Sequence, residues 1–589
     1  MARFQVRILS LGAGVAGLSL ALAGASSTPT SANPPARVFG IPAQRAYPTA
    51  ARRPSNRHRE TGPTNCTTAG TGGFLGGGTN NVAGGVDSGV LSGAFLSACG
   101  QGSGIGAGGT QVQYLPPGGA NETDAYDSFI GAGDLNWVPA NAYAAMVGAG
   151  GFGLANSPTG YKSGVYGNEA AGVDSFVGAG DLNQISAAGN GSFIGGGDYV
   201  YVSSSPYPTS GGNAISAADS FIGAGDANTI AAQESVIAGG ASNRIDEGNG
   251  LSVIAGGSNN YVEGTSDTNA FIGTGNDNET EGIAAFVGAG FANKALANGA
   301  FVGAGGELTG ANPNNQAEAA DSFIGAGDKN TVSASEAFIG SGGSNTVGSA
   351  GSFAAIPGGY QNNASGPYAS ILGGFGNTTS GSYATVAGGR NNAASGELSF
   401  AAGFHADAVN AGSFVWSDYV SGSALLKDSA KNEFVARAAG GVYFYSSDPA
   451  TTGVVLSPGE GTWASLSDRN AKTNIVPLDD AAILAKVDTL PIDGWSYTSD
   501  TAVHHVGPMA QDFYAAFGTG IDDRHITSID EDGVALAAIK ALHRENDQLR
   551  SENRSLESRL NAQESRLQSS LQLLGAKIEA LTSHRNSQS

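Results

Sequence analysis

One phrase recurs along most of this chain: an apolar pair, small residues and glycine, then Asp or Asn, then a polar stretch. It reads Ser128-Phe129-Ile130-Gly131-Ala132-Gly133-Asp134 and returns at Ser175–Asp181 and Ser322–Asp328. Take the second apolar residue as marker. Ile222, Ile237, Ile254, Ile272, Val287, Val302, Ile324, Ile339, Ile356, Ile371, Val386 and Ala401 then lie mostly 15 residues apart, with insertions stretching some intervals to 17, 18 or 22. A fixed period of this length is the signature of a solenoid. Fifteen residues hold two short strands and two turns, and one such coil cannot bury its own apolar side. Stacked coils share a backbone ladder and one continuous narrow core. Asn and Asp after the glycines suit turns, and in register they can stack as side-chain ladders. The fold class this predicts is mainly β, a Gly-rich parallel β-roll or solenoid over residues 72–418.

Composition supports the same reading. Of 589 residues 93 are Gly, more than twice the usual share of about 7%. Charged residues are 13% and hydrophobic ones 40%, which fits neither an ordinary globule nor a disordered chain. With 21 Pro and no Gly-X-Y period, collagen is excluded. The net charge of −22 is uneven: residues 1–60 carry +7, 61–460 carry −23 and the remainder −6. An acidic body repels phosphate backbones, so nucleic acid is not an expected partner. The two cysteines, Cys66 and Cys99, either pair in an exported chain or stay as two small buried thiols.

Residues 1–26 have the layout of a secretory signal: Arg3 and Arg7, an apolar run from Ile8, then Ala21, Ala23 and Ala25. The same stretch spells Gly12-Ala13-Gly14-Val15-Ala16-Gly17, a GxGxxG. A dinucleotide site needs an acid about twenty residues later, and the first acid in the chain is Glu60. No cofactor is expected. Residues 27–71 read as a basic flexible linker. The expected location is extracytoplasmic, secreted or at the cell surface. Turn Asp residues in Gly-Ala-Gly-Asp are read as turn formers rather than Ca²⁺ ligands, since the Ca²⁺-binding β-roll repeats every nine residues. No metal site is expected.

Segments such as Gly381-Ser382-Tyr383-Ala384-Thr385-Val386-Ala387-Gly388-Gly389-Arg390-Asn391-Asn392-Ala393-Ala394-Ser395-Gly396 resemble the YadA-like head repeats of trimeric autotransporter adhesins and of some phage tail fibres. The resemblance implies a left-handed parallel β-roll of three chains side by side, with a cell-surface or glycan receptor as partner. It fails at the C-terminus, where those adhesins have membrane-spanning strands and this chain has a polar helix, so no transmembrane barrel anchor is expected.

Past Asp418 the pattern changes. Residues 419–466 alternate like strands and read as a β-rich neck, 467–535 have ordinary composition and read as a small α/β domain, and 536–583 are helical. In the helix Ile539, Leu542, Asn546, Leu549, Asn553 and Leu556 follow a heptad, and Leu560, Leu567, Leu571, Leu574, Ile578 and Leu581 continue it after a stutter. Asn at two a-like positions fits a trimeric coiled coil whose register is fixed by polar residues.

Ser467-Asp468-x-x-x-Lys472, followed by His504-His505-Val506-Gly507-Pro508-Met509-Ala510-Gln511-Asp512, resembles the intramolecular chaperone domain that ends phage endosialidases and tailspikes. That family templates trimer assembly and then cuts itself away. The residues make such chemistry readable. A Ser hydroxyl needs a base, and a Lys amine becomes one when its pKa is lowered. Ser467 and Lys472 are the expected Ser–Lys dyad, with attack on the carbonyl of Leu466 cutting Leu466–Ser467 in a single intramolecular event. By the resemblance His505 matches the family His and would polarise the scissile carbonyl. The bland alternative makes Ser467-Asp468 a helix cap and Lys472 a surface residue. The functional expectation is a homotrimeric fibrous adhesin-like protein with a self-removing chaperone; the alternative is a prophage tail fibre or tailspike, located on a virion tail.

Overall fold

The computed structural model describes residues 70–587 apart from 110–120, 151–166, 198–211, 249, 265–268, 307–313 and 420–423. The expected leader at 1–26, its GxGxxG, almost all of the 27–71 linker and Cys66 lie outside the described residues. Cys99 is disulfide-bonded.

The body is a parallel β-solenoid with two strands per coil, most of them two residues long. One sheet runs through Phe286–Val287, Phe301–Val302 and Phe323–Ile324, and contains 21 strands among the described residues. The second runs through Thr331–Val332 and Thr346–Val347. Pairing is in register from coil to coil: Phe286 opposite Phe301, Thr331 opposite Thr346. The 15-residue period is therefore one full coil. Only the second member of each apolar pair faces the core, because successive side chains point to opposite faces of a strand. Ile222, Ile254, Ile324 and Ile371 are fully buried, as are their counterparts Ile230 and Val332 in the second sheet. The first member, usually Phe, faces outward.

Glycine is required where coils stack closely. At Gly327 φ is +111°, and a Cβ would lie 2.1 Å from the Gly342 carbonyl oxygen of the next coil. A side chain there is excluded by both conformation and space. The asparagine three residues after most of these glycines is buried, not exposed at the turn. Asn330 Nδ2 donates to Asn315 Oδ1 (3.2 Å), Ala326 O (3.2 Å) and Gly342 O (3.0 Å), while its Oδ1 accepts from Asn345 N (3.0 Å) and Nδ2 (3.1 Å). The same arrangement repeats from Asn121 to Asn392 and satisfies polar groups that would otherwise be stranded in the core.

Parallel pairing runs past residue 418, with Phe414–Ser417 against Phe434–Arg437. An antiparallel sheet of Val442–Tyr445, Gly453–Leu456 and Ala464–Ser465 follows. Beyond it come a short 3₁₀ turn at Arg469–Ala471, helix α1 (Asp480–Thr489), a hairpin of Asp493–Tyr497 and Asp500–Gly507, helix α2 (Ala510–Phe517) and helix α3 (Ser528–Asn586). Asp479 caps α1 by accepting from Ala481 N and Ala482 N, and Thr527 caps α3 by accepting from Asp530 N. Asp480 ties the two helices together through Lys540 Nζ (3.0 Å) and Arg544 Nη1 (2.9 Å). Ala537, Ala538 and Ala541 are buried near the start of α3, whereas Ile539, Leu549, Leu560 and Leu571 are exposed along it. Among the described residues no helix is long and apolar enough to cross a membrane.

Candidate self-cleavage site

The expected scissile bond follows the last strand of the antiparallel sheet. Leu466 N donates to Gly453 O (2.9 Å), extending that edge by one residue, and the chain then breaks into the 3₁₀ turn. Asp468 caps this turn, its Oδ1 accepting from Asn470 N at 2.9 Å. A tight turn brings residues five apart together, and Lys472 Nζ donates to Ser467 Oγ at 2.5 Å. The capping alternative and the dyad geometry thus coexist: Asp468 supplies the cap, leaving the Ser467 hydroxyl to Lys472. Leu466, Ser467 and Lys472 are all exposed in the single chain. This is the contact that a Ser–Lys nucleophile–base pair would require.

His505 lies on the hairpin, opposite Trp495. Its ring stacks on Trp495 (centroids 4.7 Å apart) and meets Tyr497 edge-on (5.6 Å). It makes no hydrogen bond with Ser467 or Lys472 among the described residues, so the structure brings two of the three sequence-expected residues together. The neighbouring His504 Nδ1 lies 3.0 Å from Ser496 Oγ.

Two further groups of acidic residues were not singled out by the repeat pattern. Glu122 and Asp124 sit by Cys99, and burial pushes the Glu122 carboxyl up to about 7 and the Asp124 carboxyl up to about 6. Glu263, Glu279 and Glu281 converge on the second sheet, where Lys294 pairs with Glu279. Burial, then a hydrogen bond with Glu279, raises Glu281. Neither group includes the turn Asp residues of the Gly-Ala-Gly-Asp phrases. No signal in the repeat could have found them, since they arise where coils a period or more apart bring outward positions together.

Residues 467–520 match the family described as chaperone of endosialidase. The family is an autoproteolytic peptidase domain, and the matched segment begins at Ser467 itself. No curated protein matches the chain. The segment that follows the parallel β-solenoid is therefore similar to the chaperone domain of endosialidases.

Proposed function

We propose that this chain is a homotrimeric fibrous protein whose C-terminal domain templates assembly and then releases itself by one cut at Leu466–Ser467. The observation that carries the reading is the Lys472–Ser467 contact at the residue where the family match starts. In the cut, neutral Lys472 takes the Ser467 proton and Oγ attacks the Leu466 carbonyl carbon. The Leu466–Ser467 amide nitrogen leaves with a proton, and water then hydrolyses the resulting ester, freeing residues 467–589. Because Ser467 and Lys472 are exposed in one chain, covering them on assembly is the step that would lower the Lys pKa and couple cutting to trimer formation. His505 is assigned the polarising role only in that assembled state.

Folding physics supports a template. A solenoid of parallel strands has to find register in three chains at once, and a C-terminal coil that trimerises first raises the local concentration of the strands. Removing the template afterwards leaves a fibre held by an unfolding barrier. The heptad residues exposed along α3 are the surface such a coil would cover. A left-handed, YadA-like trimeric body belongs to the same reading. The family match favours a tail fibre or tailspike; the leader-like N-terminus supports a secreted adhesin-like role with a cell-surface or glycan receptor.

A denaturing gel of wild type and Ser467→Ala tests the cut. Wild type should yield a fragment of residues 467–589, confirmed by its N-terminal sequence, and Ser467→Ala should stay full length. Two intact chains would end the proteolytic claim. An N-terminal reporter fusion separates the locations: retention in the cytoplasm rules out the secreted version.

A further inference from the structure

The two outer faces of the solenoid differ in chemistry. The second sheet points Glu169, Arg244, Glu279, Lys294, Asp407 and Lys427 outward. In the first sheet, none of the 21 described strands carries a charged residue at its outward first position, and Phe holds most of them. Their rings form ladders: Phe286, Phe301 and Phe323 stack at 4.7 and 4.6 Å with interplanar angles of 1°. The outer ladder stays partly open in the single chain, Phe221 and Phe338 being 39% exposed.

Side-chain volume on this face is compensated. Where the first outward residue is Phe the residue two further on is usually Gly, as in Phe286 with Gly288; Val253 is followed by Ala255, and Ser370 by Leu372. A Cβ on Gly288 would meet the Gly303 carbonyl oxygen of the next coil at 2.2 Å and Phe286 Cε1 at 3.3 Å, so the ring lies across a glycine that coil stacking already requires and the face there is smooth. The rule lapses at Gly104 with Gly106, at Thr385 with Ala387 and, at the C-terminal end, at Phe414 with Trp416. At about 4.8 Å per coil the face is roughly 100 Å long, and at a width of about 8–10 Å it offers on the order of 800–1,000 Å² per copy, which a trimer divides between two neighbours. A body carrying −23 repels its own copies, and an uncharged stripe is where that repulsion is least.

The geometry points to this Phe-lined face of the first sheet as the surface on which copies of the chain pack side by side, leaving the charged second sheet as the fibre's outer wall. The inference rests on the homotrimer reading and adds which face each copy turns to the axis. Variants of the full chain with one cysteine added to Cys66 and Cys99 test it. Ser370→Cys, which is isosteric, and Phe301→Cys place a thiol on the first sheet; Thr346→Cys places one on the second. Each is treated with a short bis-maleimide, with the parent chain setting the background, and mass is measured by light scattering. A trimeric mass with cross-linked bands from Ser370→Cys and Phe301→Cys, and none from Thr346→Cys, is the expected result. A trimeric mass with links from Thr346→Cys, or with first-sheet thiols that are alkylated but not linked, overturns the face assignment and leaves that face to another partner while the trimer stands. A monomeric wild type overturns both.

Discussion

Removing one rung of the buried asparagine ladder should damage the solenoid far more than removing its neighbour on the surface. In Asn330→Ala the two Nδ2 hydrogens shared among three acceptors and the two bonds accepted by Oδ1 are lost. Several partners keep another bond: Gly342 O still accepts from Asp328 N, and Asn345 Nδ2 still reaches Ser341 O and Gly359 O. The Asn345 backbone N–H does not, and it is fully buried. An orphaned buried N–H costs about 1–3 kcal/mol, and the other lost bonds with the small void add a comparable amount. The expected loss is about 3–5 kcal/mol, against less than about 0.5 kcal/mol for the outward-facing Thr331→Ala. Because coils interact only with neighbours, the damage stays local. Hydrogen exchange with mass spectrometry on the full chain should show protection falling roughly a hundredfold or more around residues 315–345, with distant coils unchanged. An Asn330→Ala chain within about 1 kcal/mol of wild type would refute the claim that the ladder, rather than the aliphatic core alone, holds the coils together.

Three other outcomes are expected. Lys472→Arg should block release of residues 467–589 as fully as Ser467→Ala, since a guanidinium cannot serve as base; a cleaved Lys472→Arg chain removes Lys472 from the mechanism. Burial, reinforced by Asp124, raises Glu122 from 4.5 to about 7, so the folded state binds the proton more tightly. Stability in the coils near residue 122 should then be greatest below pH 4.5 and fall as pH rises through about 7, by about 1–2 kcal/mol once solvent screening is allowed for; Glu122→Gln should flatten the profile measured by local hydrogen exchange. The Lys540 hydrogen bond, with Arg544, holds Asp480 below its ordinary 3.8, so the tie between α1 and α3 is present above that pH and is lost as pH falls through the lower folded value. Asp480→Asn should expose α1 amides at neutral pH and remove their acid sensitivity; an unchanged profile shows that the alanine packing suffices.

Much of the body was legible because a solenoid turns sequence period directly into spatial register. Every marker from Ile222 to Ala401 lies at the inward position of a first-sheet strand, and the Asn residues did stack. Less legible was which member of the apolar pair faces in, since Phe and Ile are equally apolar and only the strand's alternation separates them. The repeat's end was also hidden: Phe434–Arg437 joins the ladder although its sequence no longer spells the phrase, because backbone pairing asks for extended chain rather than particular side chains.

At the candidate site, Ser467 and Lys472 stood out by residue type and spacing. Their meeting at 2.5 Å depends on a 3₁₀ turn capped by Asp468, a local feature the five-residue spacing allowed without requiring. His505 did not join them: strand pairing turned it onto Trp495 and Tyr497. By itself, then, the sequence determined the repeating body, its period and the residues able to do the chemistry, because these are local and periodic properties of the chain. Only the tertiary structure decided which face of the solenoid is charged and which aromatic, that Asp480 binds Lys540 and Arg544 some sixty residues away, and that burial raises the Glu122 carboxyl well above its ordinary range. Those depend on which distant segments share a neighbourhood and how much water they exclude, and no local pattern encodes that.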